Sequence, residues 1–260
     1  MDRLRDRLWI WGHPTNSLYG LFGLNESSSM SPMEGMCYLG AKNIFYVPMG
    51  LPTNRVQRNR AMESAREVGW TIENSAMADA IIEQANMFPN IKRAIFDDFF
   101  NEENKNNNSL NYPLAKLANL RNTLHTKGSH PLEMWMVLYT KQFDRDISRF
   151  INEFDGISMW FWDESDVANF EERCKKFFEL TPKQKRLIGC YLYDFGGNKQ
   201  ASAESVLYQL ERNKEFVLHG DIEGVILHTN AVADLGYKAV EAAKLWILEH
   251  GDEIIRGNSK

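Results

Sequence analysis

Residues 224–251 read GVILHTNAVADLGYKAVEAAKLWILEHG, and this stretch decides the fold. Its first part, Gly224 to Thr229, is a short apolar run of the length and composition that are typical of a buried strand. The segment from Asp234 to Glu249 then carries apolar residues at helical spacing, and His250-Gly251 closes it. The stretch therefore predicts one β-strand followed by one α-helix.

The same strand-helix pattern precedes this unit along the chain. Seven further runs are rich in Val, Ile and aromatic residues: Leu8 to Trp11, Asn43 to Val47, Trp70 to Glu73, Ala94 to Asp97, Met134 to Tyr139, Ile157 to Trp162 and Leu187 to Tyr193. The segments between them are long enough for parallel crossovers and carry helix signals. Eight units in 260 residues give roughly 30 residues per unit, the size of a βαβ element.

Two of the intervening helices have predicted ends. Pro52-Thr53-Asn54 precedes a charged helix that we expect to end near Val68-Gly69, with the glycine at its C-terminus. Ser165 is expected to cap a helix from Val167 to Leu180.

The loop after the first strand helps to choose between an open sheet and a closed barrel for the eight strands. That loop reads Gly12-His13-Pro14-Thr15-Asn16 and lacks the G-x-G-x-x-G of an open dinucleotide-binding sheet. No interdomain linker is evident, and the low-complexity stretch Asn101 to Asn111 reads as a polar loop. We therefore expect an α/β fold, a single (β/α)8 TIM barrel domain over residues 1–260.

Bulk composition excludes several classes of protein. The chain has 30 Lys+Arg against 35 Asp+Glu, a net charge of −5 that argues against a nucleic-acid partner held by a broad basic surface. No apolar stretch approaches the length of a membrane span, and no signal peptide is apparent, so we expect a cytoplasmic protein without a membrane partner. Cys37, Cys174 and Cys190 are odd in number and widely spaced, which favours buried free thiols.

Active sites of such barrels lie at the C-terminal ends of the strands, so the residues there form a ring. Carboxylates and aromatic residues dominate this ring: Asp97, Asp98, Asp163, Glu164, Asp194, Trp11, Tyr139, Trp160, Trp162, Tyr191 and Tyr193, together with His13 and His228. Period-two alternation predicts that Trp160, Trp162 and Glu164 face the barrel axis. On the fourth strand it predicts that Phe96 and Asp98 face inward.

Paired carboxylates in an aromatic cleft are what glycoside hydrolysis requires. One carboxyl group protonates the leaving oxygen, the second acts as nucleophile or activates water, and aromatic faces stack on sugar rings. Repulsion within Asp97-Asp98 can raise one pKa toward that of a working general acid. Structural roles stay open: Asp163 as a helix cap, Trp160 and Trp162 as barrel filling, His13 as a loop residue and His228 as a core histidine.

At these strand ends the chain resembles the (β/α)8 glycoside hydrolases over its whole length. The fourth strand ends in Asp97-Asp98 rather than Asn-Glu, and the chitinase-like pattern D-x-x-D-x-D-x-E is absent. The arrangement looks closer to α-galactosidase-like barrels, which place one catalytic carboxylate after strand four and another after strand six. The resemblance implies Asp97 or Asp98 as one partner and Asp163 or Glu164 as the other, with Asp194 competing for the second role.

We therefore expect a carbohydrate-active hydrolase with Asp98 and Glu164 as the leading pair. Asp97 and Asp194 would tune the pKa values or contact hydroxyls. The expected substrate is a small molecule or oligosaccharide, with no metal and no cofactor, and the residues expected to bind it are Trp11, His13, Tyr139, Trp160, Trp162, Tyr193 and His228.

Three alternatives remain open at this point. A metal-dependent sugar isomerase or epimerase would draw ligands from Glu73, Asp98, Glu164, Asp194 and His228. A phosphosugar enzyme would use backbone donors at Gly196-Gly197-Asn198. The third alternative is a carbohydrate-binding barrel without turnover.

Overall fold

Eight parallel strands close into a barrel in which each strand pairs with its neighbours in the sequence. The computed structural model describes residues 1–48, 52–73, 75–100 and 113–255. The strands are β1 (Leu8–Gly12), β2 (Asn43–Tyr46), β3 (Glu67–Ile72), β4 (Ile91–Phe96), β5 (Glu133–Tyr139), β6 (Gly156–Trp160), β7 (Lys185–Tyr191) and β8 (Gly224–His228). The predicted (β/α)8 barrel is confirmed, and β8 closes it by pairing with β1.

Helices alternate with the strands along the chain. They are α1 (Pro32–Leu39), α2 (Arg55–Ala61), α3 (Ser75–Met87), α4 (Leu114–Thr126), α5 (Ser148–Ile151), α6 (Phe170–Leu180), α7 (Ala203–His219) and α8 (Lys238–His250). The described helices include none with both the length and the apolar character needed to cross a membrane.

The structure corrects two predicted helix ends. The helix after β2 stops at Ala61, and Val68 and Gly69 belong to β3. Gly69 is needed there because a Cβ at this position would collide with the ring of Phe45 on β2. Ser165 does not cap α6, because it lies inside a 3₁₀ turn, Glu164–Asn169, that precedes the helix.

The end of β7 also differs from the predicted run. The strand stops at Tyr191, and Tyr193–Asp194 instead pairs antiparallel with Lys199–Gln200 in a small hairpin. The predicted polar loop Asn101 to Asn111 lies outside the described residues, as do Met49 and Gly50.

A charged cluster closes the N-terminal end of the barrel. The Arg93 guanidinium lies between the rings of Trp9 and Trp135, with its carbon 4.4 and 4.5 Å from the two ring centres. Its Nη2 is 3.2 Å from Glu67 and 3.1 Å from Glu223. Among the described residues these side chains fill this end of the barrel, and active sites of such barrels lie at the opposite end.

The three cysteines are free, but they differ in exposure. Cys174 and Cys190 are buried as predicted, and burial raises the pKa of the Cys190 thiol to about 12. The prediction was wrong for Cys37, which is exposed. It lies on α1, whose buried residues are Gly35, Met36 and Leu39, so Cys37 falls on the outer face.

Candidate functional site

A pocket of about 120 Å³ lies at the C-terminal end of the barrel. It is lined by Trp11, His13, Leu18, Phe22, Asp97, Asp98, Val137, Tyr139, Trp160, Trp162, Tyr191, Phe195 and His228. These residues come from β1, β4, β5, β6, β7 and β8 and from the loops that follow them. Drug-sized ligands occupy pockets of about 300 Å³ or more, so this one suits a group no larger than a single sugar ring.

Two adjacent carboxyl groups, those of Asp97 and Asp98, line one side of the pocket. They follow directly after β4, and the backbone of Asp98 is left-handed, with a φ of +50°. Alternation along a strand would send neighbouring side chains to opposite faces. The left-handed residue breaks that alternation, which allows both carboxyl groups to reach the same pocket.

Alternation on β4 itself is opposite to the prediction. Phe96 packs against Phe99 and Phe154, at ring-centre distances of 5.5 and 5.9 Å, and does not line the pocket. The barrel-facing series on β4 is therefore Arg93, Ile95 and then Asp97. Asp98 reaches the pocket through its backbone conformation and not through the strand register.

Two tyrosines accompany the carboxyl pair. The Tyr139 hydroxyl donates a hydrogen bond to Oδ1 of Asp98 over 2.8 Å. Burial raises the pKa of Tyr139 and of Tyr191 well above the ordinary value, and the negative charges of Asp97 and Asp98 add to the effect. Both phenols therefore stay protonated at neutral pH and can donate hydrogen bonds to a ligand or to a carboxylate.

The Asp97 carboxyl group is the most perturbed acid of the pocket. Its side chain is exposed to the pocket space, but protein surrounds that space, and this burial is the first cause of a pKa raised to about 8. The charges of Asp98 and, more weakly, Glu73 raise it further. Because the raised pKa exceeds 7, Asp97 holds a proton at neutral pH.

Aromatic rings form most of the remaining wall. Trp160 is buried, donates its indole N–H to Ser158 Oγ over 3.0 Å and meets Trp11 edge-on at 5.5 Å. Trp162 lies nearer the surface and meets the Tyr139 ring edge-on at 5.6 Å. Both tryptophans face the barrel axis as the alternation on β6 predicted, and both line the pocket.

Two histidines complete the lining on the β1 and β8 side. His13 is buried after β1, His228 ends β8, and their ring centres are 5.4 Å apart. Burial lowers the pKa of His13 to about 4. Burial, together with the nearby His13, lowers the pKa of His228 well below its usual value. Both imidazoles are therefore neutral at pH 7.

Glu164 and Asp194, two predicted members of the carboxylate set, do not line the pocket. Oε1 of Glu164 accepts a hydrogen bond from the Ser202 backbone N–H over 2.7 Å, just before α7. Asp194 Oδ1 accepts from the Gly197 N–H over 2.9 Å. The structure therefore brings Asp98 together with Asp97, and places Glu164 and Asp194 in the loops after β6 and β7.

The loops after β6 and β7 also contain two other predicted features, the Gly196-Gly197 turn and Tyr193. A Cβ at Gly196 would collide with the Asp163 carboxyl group, and the Gly197 N–H is used by Asp194, so this turn is filled by carboxyl groups. Tyr193 is buried and donates its hydroxyl to the Phe22 backbone oxygen over 3.0 Å. It holds the loop that brings Phe22 to the pocket and is not itself in the lining.

Sequence reasoning missed four lining residues: Leu18, Phe22, Val137 and Phe195. Phe195 lies beyond the end of β7, next to the small hairpin, where strand alternation does not apply. Leu18 and Phe22 come from the irregular segment between β1 and α1, where no periodic signal exists.

The donors proposed for a metal-dependent isomerase do not converge. Within the described ranges, no group of three or more His, Cys, Asp or Glu side chains has the geometry to hold a metal ion. Of the five residues named for that alternative, Asp98 and His228 line the pocket, whereas Glu73, Glu164 and Asp194 do not.

Comparisons with known proteins bear on the fold. No protein-family profile and no curated protein sequence matches the chain. Among solved structures, the chain is similar to active domain 2 of a chitinase from Pyrococcus furiosus, with a TM-score of 0.59, 11% identity and coverage of 97% of this chain and 99% of that one. It is also similar to an endo-alpha-mannosidase from Bacteroides thetaiotaomicron, with a TM-score of 0.56, 10% identity and coverage of 98% and 88%.

A structure of different activity is similar as well. The tryptophan synthase A-subunit from Pyrococcus furiosus has a TM-score of 0.53 and 10% identity, with coverage of 94% of this chain and 97% of that one. At such low identity these likenesses show a shared barrel fold. Because unrelated activities occur on this fold, the function has to be argued from the pocket.

Proposed function

We propose that this protein is a glycoside hydrolase that binds one sugar ring in the pocket at the end of the barrel. The observation that carries the proposal is the carboxyl pair, in which Asp97, with its pKa raised to about 8, lies beside Asp98 within an aromatic pocket. A carboxyl group that is protonated at neutral pH is what a general acid requires. Aromatic faces beside it suit the apolar faces of a sugar ring.

In this proposal Asp97 donates its proton to the glycosidic oxygen as the bond from that oxygen to the anomeric carbon breaks. The positive charge that develops on the sugar ring is stabilised by the Asp98 carboxylate, which Tyr139 holds in place. A water then adds to the anomeric carbon and returns a proton to Asp97. The products are the free sugar and an alcohol, and the enzyme regains its starting state.

The pocket differs from a site with two opposed carboxylates in the group that would attack the anomeric carbon. Among the residues that the structure describes, the pocket lining contains no carboxyl group besides Asp97 and Asp98, and the far side carries His13 and His228. In some glycosidases a group of the substrate itself attacks the anomeric carbon. A 2-acetamido substituent could do so here, which makes 2-acetamido sugars the first substrates to test.

The test is hydrolysis of paired 4-nitrophenyl and methyl glycosides of glucose, galactose, mannose and 2-acetamido-2-deoxyglucose. We expect the wild type to cleave at least one pair, and Asp97→Asn to lose about 100-fold or more on the methyl glycoside, whose poor leaving group needs the acid. The loss on the 4-nitrophenyl glycoside should be smaller, because that leaving group departs without a proton.

Glu164→Gln is the matched control, since a glutamine can still accept the hydrogen bond from Ser202. It should keep activity within about threefold of the wild type, because no interaction with the reacting atoms is lost. No cleavage of any pair by the wild type would contradict the proposal. Loss of activity in Glu164→Gln equal to that in Asp97→Asn would favour the pairing of Asp98 with Glu164.

A further inference from the structure

His13 and His228 have buried ring nitrogens that no described residue satisfies. Both nitrogens of His13 and Nδ1 of His228 lack a hydrogen-bond partner among the described residues. His13 is 7% exposed, and both rings line the pocket. A buried polar atom without a partner destabilises the folded protein, so three of them at one place call for an explanation.

The position of His13 is fixed by its backbone and not by its ring. The Asn230 side chain accepts a hydrogen bond from the His13 N–H over 2.7 Å and donates one to the His13 carbonyl over 2.9 Å. Asn230 is fully buried, and its amide also donates to the Met30 carbonyl over 2.9 Å. These hydrogen bonds from Asn230 hold the His13 imidazole at the pocket and leave its ring nitrogens available.

His228 is surrounded mainly by aromatic rings. Its ring centre is 4.7 Å from that of Phe195, 4.9 Å from that of Tyr191 and 5.8 Å from that of Trp160. Such surroundings disfavour a charged imidazolium. A neutral imidazole carries one N–H donor and one acceptor nitrogen, and a hydroxyl group likewise can donate and accept.

We propose that His13 and His228 form a subsite that recognises hydroxyl groups of a neutral sugar ring held against the Asp97–Asp98 pair. This inference rests on the proposed function and adds the residues that would set its specificity. The lining contains no Lys or Arg among the described residues, so an anionic sugar lacks a cationic partner there. The described residues also provide no third donor that would make the pair a metal site.

The proposed subsite should discriminate against sugars that lack a contacted hydroxyl group. A sugar that lacks the contacted hydroxyl leaves an imidazole nitrogen unpaired in a closed complex, and sites of this kind reject deoxy analogues. We expect at least one monodeoxy analogue of the best-bound methyl glycoside to bind about tenfold or more weakly, the effect of losing one well-made hydrogen bond.

The experiment measures binding of the four methyl glycosides in an Asp97→Asn background, where turnover is slowed. Quenching of intrinsic tryptophan fluorescence reports binding, because Trp11, Trp160 and Trp162 line the pocket. His13→Phe should weaken binding about tenfold or more. The exposed His219→Phe is the control and should leave the affinity unchanged.

Thermal unfolding separates recognition from a structural role. Because the His13 ring makes no hydrogen bond to a described residue, His13→Phe should leave the unfolding temperature unchanged or raise it, whereas loss of a structural residue would lower it. If His13→Phe is unstable, His228→Phe and His13→Gln provide the same comparison, and His13→Gln should restore part of the affinity.

Three results would overturn the inference: unchanged affinity in His13→Phe and His228→Phe, binding of none of the glycosides by the parent protein, or tight binding of Zn²⁺ that both histidine variants abolish. Hydrolysis that survives unchanged in both histidine variants would also overturn it while leaving the proposed function in place. Sugar binding that needs both histidines, without cleavage by the wild type, would support the subsite and contradict the hydrolase.

Discussion

The hydroxyl of Tyr139, the last residue of β5, donates a hydrogen bond to Oδ1 of Asp98 over 2.8 Å. This contact joins two neighbouring strand ends of the barrel and fixes one carboxylate of the adjacent pair. The other carboxyl group, that of Asp97, is left to face the pocket with a pKa raised by burial and by the charge of Asp98. Two chemically identical side chains thus have different surroundings.

Tyr139→Phe removes this hydrogen bond while keeping the ring. We expect kcat to fall about 10-fold or more with little change in KM, because Asp98 loses the group that orients it in the transition state. Steady-state kinetics on the best glycoside checks this. Tyr208→Phe is the matched control, since its exposed phenol bonds to Glu171 away from the pocket. An equal loss of kcat in both variants would contradict a role for the Tyr139–Asp98 bond.

The pH dependence of hydrolysis should report the Asp97 proton. A general acid works only while protonated, so kcat/KM on a methyl glycoside should fall as pH rises through about 8, the pKa of Asp97. In Asp98→Asn the charge that helps to raise this pKa is gone. Any residual activity should then begin to fall at a lower pH, and a decline at an unchanged or higher pH would count against the assignment.

Folding stability should also depend on pH through the Asp97 proton. The pKa of Asp97 is raised on folding, so the native chain holds a proton that the unfolded chain releases, and stability falls as pH rises from about 4 to about 8. Asp97→Asn has no such proton. Its unfolding temperature should therefore exceed that of the wild type by more at pH 8 than at pH 4. Differential scanning calorimetry at the two pH values checks this, and a constant difference would disagree with it.

Arg93→Met should destabilise the barrel strongly. It leaves Glu67, Glu133 and Glu223 together at the closed end of the barrel without the guanidinium between them. The Arg93 side chain is 8% exposed, whereas the three carboxylates are 26–31% exposed, and Lys185 still pairs with two of them. The expected cost is therefore about 1.5–3 kcal/mol, the range for hydrogen bonds to charged groups, which urea unfolding would measure. Arg66→Met, which breaks exposed pairs with Asp2 and Asp6, should cost about 1 kcal/mol or less. Equal costs in the two variants would contradict the importance of burial.

Gly189→Ala should disturb the pocket from inside β7. A Cβ there would collide with the ring of Trp160, which lines the pocket. Overpacking of this kind costs about 1–3 kcal/mol and would shift the indole. Trp160→Phe should relieve part of the cost, so a double-mutant cycle on urea unfolding should show favourable coupling. Additive costs in the cycle would show that a Cβ at position 189 does not contact the side chain at position 160.

The barrel could be predicted from sequence because its signal is repeated. Each strand is a short apolar run and each helix has its own spacing, so the errors at Val68-Gly69 and Ser165 moved boundaries without changing the fold. The start of β3 differs from the prediction because glycine is typical of a helix end, whereas the missing side chain of Gly69 allows close contact with Phe45.

The candidate site could be predicted only in part. Residues that follow strict alternation, such as Trp160 and Trp162, line the pocket where the pattern placed them. Asp98 joins Asp97 there because of its left-handed backbone, which no periodicity reveals. Glu164 and Asp194 carry the same chemistry in the sequence, but both accept hydrogen bonds from backbone N–H groups of the segment between β7 and α7.

The most direct test of the account is the titration of Asp97 in the folded protein. Carboxyl carbons of ¹³C-labelled aspartate, followed by NMR and assigned with Asp97→Asn, report the protonation of this group within the Asp97–Asp98 pair. We predict an apparent pKa of about 8, with Asp97 protonated at pH 7. A midpoint near the ordinary aspartate value of about 4 would mean that Asp97 is ionised at neutral pH and would contradict its role as the acid.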